Sequence, residues 1–377
     1  MPNLVVLGDS IQWGQGLSGA DKMSTLLAKA WKQASGEAVV IHSYAHSGAD
    51  IWDDGQSGII AIADPTPPQF PLRLPKEDGA ILQTRACAAT QQERDAIGEI
   101  PDEEPYSLRQ ILDAGQAIGV EADLVLFDAG INDTEVYNLV LPGKDSSAVV
   151  KRGRSIEPRV EFCLRKIGEL FPKAAVLVTG YYPVVTLQTD LFELLQFTAR
   201  VVGAAAEEGI QLAGRLAELR DLPALDLSVL SGGMFLGSIP AADSVAGRLL
   251  PAGLNPLRPL LRSLAGRSAE WTANVHVALQ NATTTYAKDT GRVAGFVDPR
   301  FGSEHGLFAP HSMLWAFKRG QPTDPLAQAR RDFCKKNGIV GFDRLLKESA
   351  SLGHPNPAGA KRYADALITE ARKLKIF

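Results

Sequence analysis

Short apolar runs that end at glycine, aspartate or serine alternate along this chain with longer segments of helical period. That alternation predicts βα units around a parallel sheet. The runs are 3–7 (NLVVL), 39–44 (VVIHSY), 123–128 (DLVLFD), 175–179 (AVLVT) and 293–297 (VAGFV). Five strands suffice for a three-layer α/β/α sandwich. Between them, Met23, Leu26, Leu27, Ala30, Trp31 and Ala34 recur at three and four residues and stop at Gly36, as in a helix packed on one sheet face. Val160, Cys163, Leu164, Ile167, Leu170 and Phe171 repeat the pattern, and so do Trp271, Val275, Ala278, Leu279, Ala282 and Tyr286. A last helix opens at Asn356-Pro357, a cap residue followed by proline at the first helical position. It buries Ala360, Tyr363, Ala364, Leu367, Ile368 and Ala371.

Two regions interrupt the alternation. Residues 64–75 (DPTPPQFPLRLP) carry five prolines, which excludes regular structure and predicts a surface excursion. Residues 186–268 form a surplus between the fourth and fifth strands, with helix-period stretches near 190–206 and 210–220 and then a glycine-rich turn region. From Leu249 to Gly266 leucines mix with arginines, and prolines break the pattern. The expected organisation is a single domain over 1–377 with a helical insertion at 186–268. The insertion is read either as a lid over an apolar pocket or as an extra helical layer or oligomer contact.

Composition narrows the partners. With 377 residues, 45% hydrophobic and 22% charged, the chain can bury a substantial core. Its net charge of -4 gives no basic face, so no nucleic-acid partner is expected. No stretch approaches the about 18 apolar residues of a membrane span. The start, Pro2 to Leu7, lacks the basic opening and apolar length of a signal peptide. The expected location is the cytoplasm, or outside the cell by export without a signal peptide or after its removal. Cys87, Cys163 and Cys334 are far apart and odd in number, which predicts buried small apolar residues rather than disulfides or metal ligands.

Four separated blocks carry the candidate chemistry. Gly8-Asp9-Ser10 places a hydroxyl at the carboxyl end of the first strand, where open α/β sheets hold their ligands. Ser47-Gly48-Ala49 follows the second strand, with a glycine that lets a backbone N–H approach a substrate oxygen. Gly130-Ile131-Asn132-Asp133 follows the third and offers a side-chain amide. His354-Pro355-Asn356 lies at the mouth of the last helix. A hydroxyl nucleophile, a base and donors aimed at an oxyanion are the parts of an acyl-transfer site.

These blocks, in this order, resemble the SGNH hydrolases, the GDSL family of esterases and lipases. Further similarity to the bacterial lipase and phospholipase branch lies in Val178-Thr179-Gly180-Tyr181-Tyr182-Pro183, in Val297-Asp298-Pro299-Arg300-Phe301 and in Glu304-His305-Gly306. The resemblance implies a flavodoxin-like five-stranded sheet, with Ser10 as nucleophile and His354 as general base. The Ser10 N–H, Gly48 N–H and Asn132 amide are then the oxyanion donors. It implies a serine esterase or lipase acting on lipid or short-to-medium acyl esters, without metal or organic cofactor. A carbohydrate acetyl esterase or an acyltransferase would use the same site, and a non-catalytic binding protein would keep the fold alone. Transient contact with a lipid interface through the insertion is a further implication.

The first block reads Gly-Asp-Ser-Ile where the family has leucine. The larger departure is Ser351, which stands three residues before His354 where the family has aspartate. That carboxylate ordinarily fixes the imidazole tautomer and stabilises the imidazolium. Here a backbone carbonyl is the expected neutral acceptor, with the Ser351 hydroxyl as a weaker one; Asp343 and Glu348 lie upstream without the family's spacing. Plainer roles stand beside these: Ser10, Gly48 and Gly130 as turn residues, Asn132 as a cap, His354 as a loop histidine. Asp9 and Asp133 are expected to hold loops by accepting backbone N–H bonds. His42 and His276 are expected to pack, His305 to line the pocket or support structure, and His46 to lie near the site without acting in it.

Overall fold

The structure is a computed structural model that describes residues 1–45, 47, 49, 51, 112, 120–134, 139, 146–195, 197–198, 258–318, 321–336 and 338–377. Its centre is a five-stranded sheet formed by β1 (Asn3–Leu7), β2 (Val40–Ser43), β3 (Leu124–Phe127), β4 (Ala175–Thr179) and β5 (Ala294–Val297). All neighbours are parallel, in the order β2-β1-β3-β4-β5. Each strand lies within or on one of the five apolar runs. The central strands β1, β3 and β4 are buried along nearly all their length, as parallel strands covered on both faces must be, whereas β2 at the edge is largely uncovered.

Registers such as Leu4 opposite Leu124 and Val176 opposite Ala294 align the carboxyl ends of the strands along one edge. In this strand order the connections diverge on either side of β1 and β3. That leaves a crevice at their carboxyl ends, the favoured ligand position of open sheets.

Helices cover both faces. α1 (Ser10–Trp13) turns away directly after β1, and α2 (Met23–Ser35) packs with α8 (Pro357–Lys373) in one layer. The opposite layer holds α3 (Ser146–Ser155), α4 (Glu157–Leu170) and the long α5 (Arg258–Thr290), which lies across α3 and α4 and reaches β4 and β5. Pro158 opens α4 in the first turn, where its missing N–H costs nothing. Asn356 caps α8, its Oδ1 accepting from the N–H groups of Ala358 and Gly359 at 3.0 and 3.1 Å. A two-stranded ribbon, β6 (Phe317–Lys318) with β7 (Gln321–Pro322), leads into α6 (Ala327–Lys336) and α7 (Gly341–Glu348). No described helix is long and apolar enough to cross a membrane.

The 186–268 surplus is described only at its two ends. At the first, residues 191–195 are helical. At the second, residues 258–268 are the opening turns of α5, so Pro259, one of the prolines expected to break the 249–266 stretch, instead lies in the first turn of a helix. Gly266 is tolerated there because it faces open space. Val185, Leu194 and Leu264 bring the two ends together in a small apolar cluster of their own, with Leu191, Leu260, Leu261 and Phe308 packed against it. Cys163 and Cys334 are buried and not disulfide-bonded; Cys87 and the proline-rich 64–75 segment lie outside the described residues.

Candidate active site

Ser10 is the first residue of α1, directly after the turn that leaves β1. The turn is tight because Asp9 caps the helix, its Oδ1 accepting from the Ile11 N–H at 2.8 Å. Ser10 itself is buried, and its Oγ lies 2.6 Å from Nε2 of His354. For Nε2 to accept the hydroxyl proton, the ring hydrogen must sit on Nδ1. Burial of the imidazole is the largest influence on it and pushes its pKa down to about 4, while the carbonyls of Ser351 and Leu352 beside the ring favour the charged form. The imidazole is therefore a neutral acceptor through the neutral pH range. Nδ1 has no partner in hydrogen-bonding geometry among the described residues, although those two carbonyls are the groups that face it. Catalytic hydrogen bonds are often loose in a free enzyme and tighten on the substrate.

Two consecutive tyrosines beyond β4 hold the two blocks. The Tyr181 hydroxyl donates to Asp9 Oδ2 at 2.7 Å, and the Tyr182 hydroxyl donates to the carbonyl of Gly353, next to His354, also at 2.7 Å. The Tyr-Tyr pair of the 178–183 segment thus anchors the serine loop with one ring and the histidine loop with the other. The backbone adds a third tie, because the Trp315 N–H donates to the His354 carbonyl at 2.7 Å.

Beneath Ser10 lie two carboxylates that the sequence did not mark as a pair. Asp128 Oδ1, at the end of β3, accepts from the Asp9 N–H at 2.9 Å, and its Oδ2 has no partner among the described residues. Burial pushes Asp9 up to about 7, and burial together with the Asp9 charge holds Asp128 well above the usual carboxylate range. The pair does not carry two charges at neutral pH.

This gives a measurable linkage. Asp9 binds a proton in the folded protein at pH values where the unfolded chain, at about 3.8, has lost it. Its contribution to stability is therefore present at low pH and is lost as pH rises through about 7. The lowered pKa values of His354 and His42 act in the opposite sense. Comparison with Asp9→Asn isolates the carboxyl: relative to the variant, wild-type melting temperature falls as pH rises from about 5 to 8. Parallel curves for the two proteins would contradict it.

Asn132 follows β3, the neighbour of β1, and its Nδ2 donates to the Ala49 carbonyl at 2.8 Å. An amide NH₂ carries two donors, so one remains for a ligand. Asp133 holds the opposite loop, accepting from the Ile51 N–H at 3.0 Å and pairing with Arg159 at 3.4 Å. Gly48 and His46 lie outside the described residues. Ser351 does not orient the imidazole through its hydroxyl, which donates instead to Asp324 Oδ2 at 2.6 Å. Glu348 is taken by Arg344 at 2.6 Å, and the Asp343 side chain lies outside the described set. His305 accepts from the Gly302 N–H at 2.8 Å through Nδ1. His276 meets the Tyr181 carbonyl at 2.9 Å, and His42 meets Asn3 at 3.1 Å. Asp324, Arg330, Asp128 and the roles of the two tyrosines were missed. Only the tyrosines and Asp128 lie in segments the sequence had singled out.

The chain matches no protein-family model and no curated protein sequence. Among solved structures it is similar to the extracellular lipase of Streptomyces rimosus, with 15% identity, 98% of this chain and 99% of that one covered, and a TM-score of 0.43. It is similar to phospholipase A1 of Streptomyces albidoflavus at 14% identity, with 98% of each chain covered and a TM-score of 0.39. A carbohydrate acetylesterase of Sinorhizobium meliloti is similar at 10% identity, with 99% of this chain and 100% of that one covered and a TM-score of 0.37.

Proposed function

We propose that this protein is a serine hydrolase of carboxylic esters that works through an acyl-enzyme. The observation that carries the proposal is the 2.6 Å contact between Ser10 Oγ and His354 Nε2 at the carboxyl edge of the sheet. As Oγ attacks the ester carbonyl, its proton passes to Nε2. The carbonyl oxygen becomes an oxyanion facing the Ser10 N–H and the remaining Asn132 amide hydrogen, with the Gly48 N–H assigned from its sequence block. The imidazolium returns its proton to the departing alcohol. Water then repeats the path and releases the acid.

A base with a pKa near 4 is ready at neutral pH, but its protonated form is costly. Stabilising that form falls to the carbonyls of Ser351 and Leu352, a Ser-His dyad with neutral acceptors.

The substrate class we assign is lipid or short-to-medium acyl esters. Leu187 and Phe192 are exposed on the chain that leaves the carboxyl end of β4, the edge that also carries Ser10, and they offer apolar surface to an acyl group. The lid role of the 186–268 insertion belongs to the same proposal.

A p-nitrophenyl ester series from acetate upward tests it. Two further methylenes that find apolar contact raise kcat/KM by about tenfold, and on every ester activity falls as pH drops through about 4, where His354 takes its proton. Turnover of acetate alone would replace the lipid reading with that of an acetyl esterase. Folded protein that cleaves no ester would overturn the function.

A further inference from the structure

The fold has a buried ion pair directly behind the histidine loop. Arg330 of α6 and Asp324, from the segment before it, are both fully buried, and Arg330 Nη2 donates to Asp324 Oδ2 at 2.6 Å. The same Oδ2 accepts from the Ser351 hydroxyl at 2.6 Å, and Arg330 Nη2 also reaches Ser351 Oγ at 3.1 Å. Arg330 Nε donates to the Glu348 carbonyl at 3.3 Å, so the guanidinium grips the end of α7 as well as the residue three before His354.

We propose that Asp324, held by Arg330 and linked through the Ser351 hydroxyl, is the positioning carboxylate of His354, supplied from another part of the chain than residue 351. The proposal rests on the serine-hydrolase reading and names how its base is oriented.

The geometry joins three things. Ser351 is fixed at both ends: its hydroxyl on Asp324, its carbonyl on the His354 N–H at 2.9 Å. That carbonyl is one of the two beside the ring, so anchoring Ser351 sets the acceptor that the Nδ1–H faces. The serine loop packs on the same group. At Gly16 an added Cβ would stand 2.8 Å from Ser351 Cβ and 3.1 Å from Asp324 Cβ, so only glycine allows the loop beyond α1 to close on the network. Nucleophile loop and base loop are thereby registered against one buried cluster. A buried ion pair is a poor source of stability, because desolvation offsets its attraction, and fixing one arrangement is its better-attested use.

The charges act on the ring in opposite directions. Among the described residues, the charged groups that bear on His354 are Arg330, which opposes protonation, and Asp324, which favours it; Ser10 faces it with a neutral hydroxyl. Asp324→Asn therefore moves the acid limb of kcat/KM to lower pH, and Arg330→Gln moves it to higher pH. A merely structural role would lower activity in both without moving the limbs apart. Each substitution leaves a buried charge without its counter-charge and could prevent folding, so Ser351→Ala is the second variant: it keeps the ion pair and removes only the link. There we expect kcat to fall about tenfold at unchanged KM, with the melting temperature within a few degrees of wild type.

Limbs displaced in opposite directions, or the Ser351→Ala loss in kcat, support the proposal. Unmoved limbs with full kcat in Ser351→Ala overturn it. Fluorophosphonate labelling of the wild type separates the two levels: if Ser10 labels while no variant changes kcat or limb, only the positioning role falls. If Ser10 does not label, the hydrolase reading falls first.

Discussion

Replacing Ser10 with alanine lowers kcat/KM on p-nitrophenyl esters by about 10⁴-fold or more, and removing His354 as well costs almost nothing further. The two groups act as one unit. The hydroxyl is a weak nucleophile until Nε2, 2.6 Å away, takes its proton, and without the hydroxyl the imidazole has no proton to take. His354→Ala alone is expected to lose nearly as much. Asn132→Ala removes a donor that acts on the oxyanion rather than on the proton. Its loss is about 10²-fold in kcat. Steady-state kinetics on the three single variants and on the Ser10→Ala/His354→Ala double variant check the set. Additive losses in that double variant would separate the serine from the histidine.

Gly8→Ala carries the largest expected effect on stability. Gly8 has φ +147°, a backbone conformation that side chains disfavour, and its added Cβ would fall 1.9 Å from Asp128 Oδ1 and 2.9 Å from Gln12 Cγ. The backbone cannot move away, because the Asp9 N–H is bonded to that same carboxyl. Strain and overpacking each cost about 1–3 kcal/mol, so a loss of about 3–5 kcal/mol is expected. Urea denaturation reads it, and a change below about 1 kcal/mol would show that the turn relaxes around a side chain. The same contact explains why glycine precedes the Asp-Ser pair: the strand-to-helix turn passes over the paired carboxylates with no room for a methyl group.

The sheet was legible because its signal is local. The runs at 3–7, 123–128 and 175–179 read as strands because covering on both faces demands apolar residues at every position. The edge strand Val40–Ser43 was found despite its exposure, since Val-Val-Ile precedes a polar turn. The full extent of α5 was not legible. Pro259 reads as a breaker, but it sits in the first turn of Arg258–Thr290, where its missing N–H leaves no bond unmade. α3, α6 and α7 were not anticipated, although Phe342, Leu345 and Leu346 of α7 recur at three and four residues as one helical face requires.

At the candidate site, Ser10 and His354 meet across 344 positions, and their blocks were marked because each follows a strand or opens a helix. The missing carboxylate was sought within reach of residue 351 in sequence. Asp324 lies 27 positions before Ser351, and no spacing announces it. It is brought there by the ribbon β6–β7 and by α6, which presents Arg330 to it. Tertiary packing, not local pattern, made that contact. The same is true of Asp128: it ended a correctly placed strand, but only the parallel pairing of β1 with β3 puts it under Asp9.

The central claim is that Ser10 is the activated nucleophile. Treating the folded wild-type protein with a fluorophosphonate and mapping the adduct by peptide mass spectrometry tests it most directly, with His354→Ala run in parallel. The expected result is one adduct on Ser10 in the wild type and labelling slowed by about 10³-fold in His354→Ala. Folded wild-type protein that takes no label, or takes it on another residue, would contradict the account.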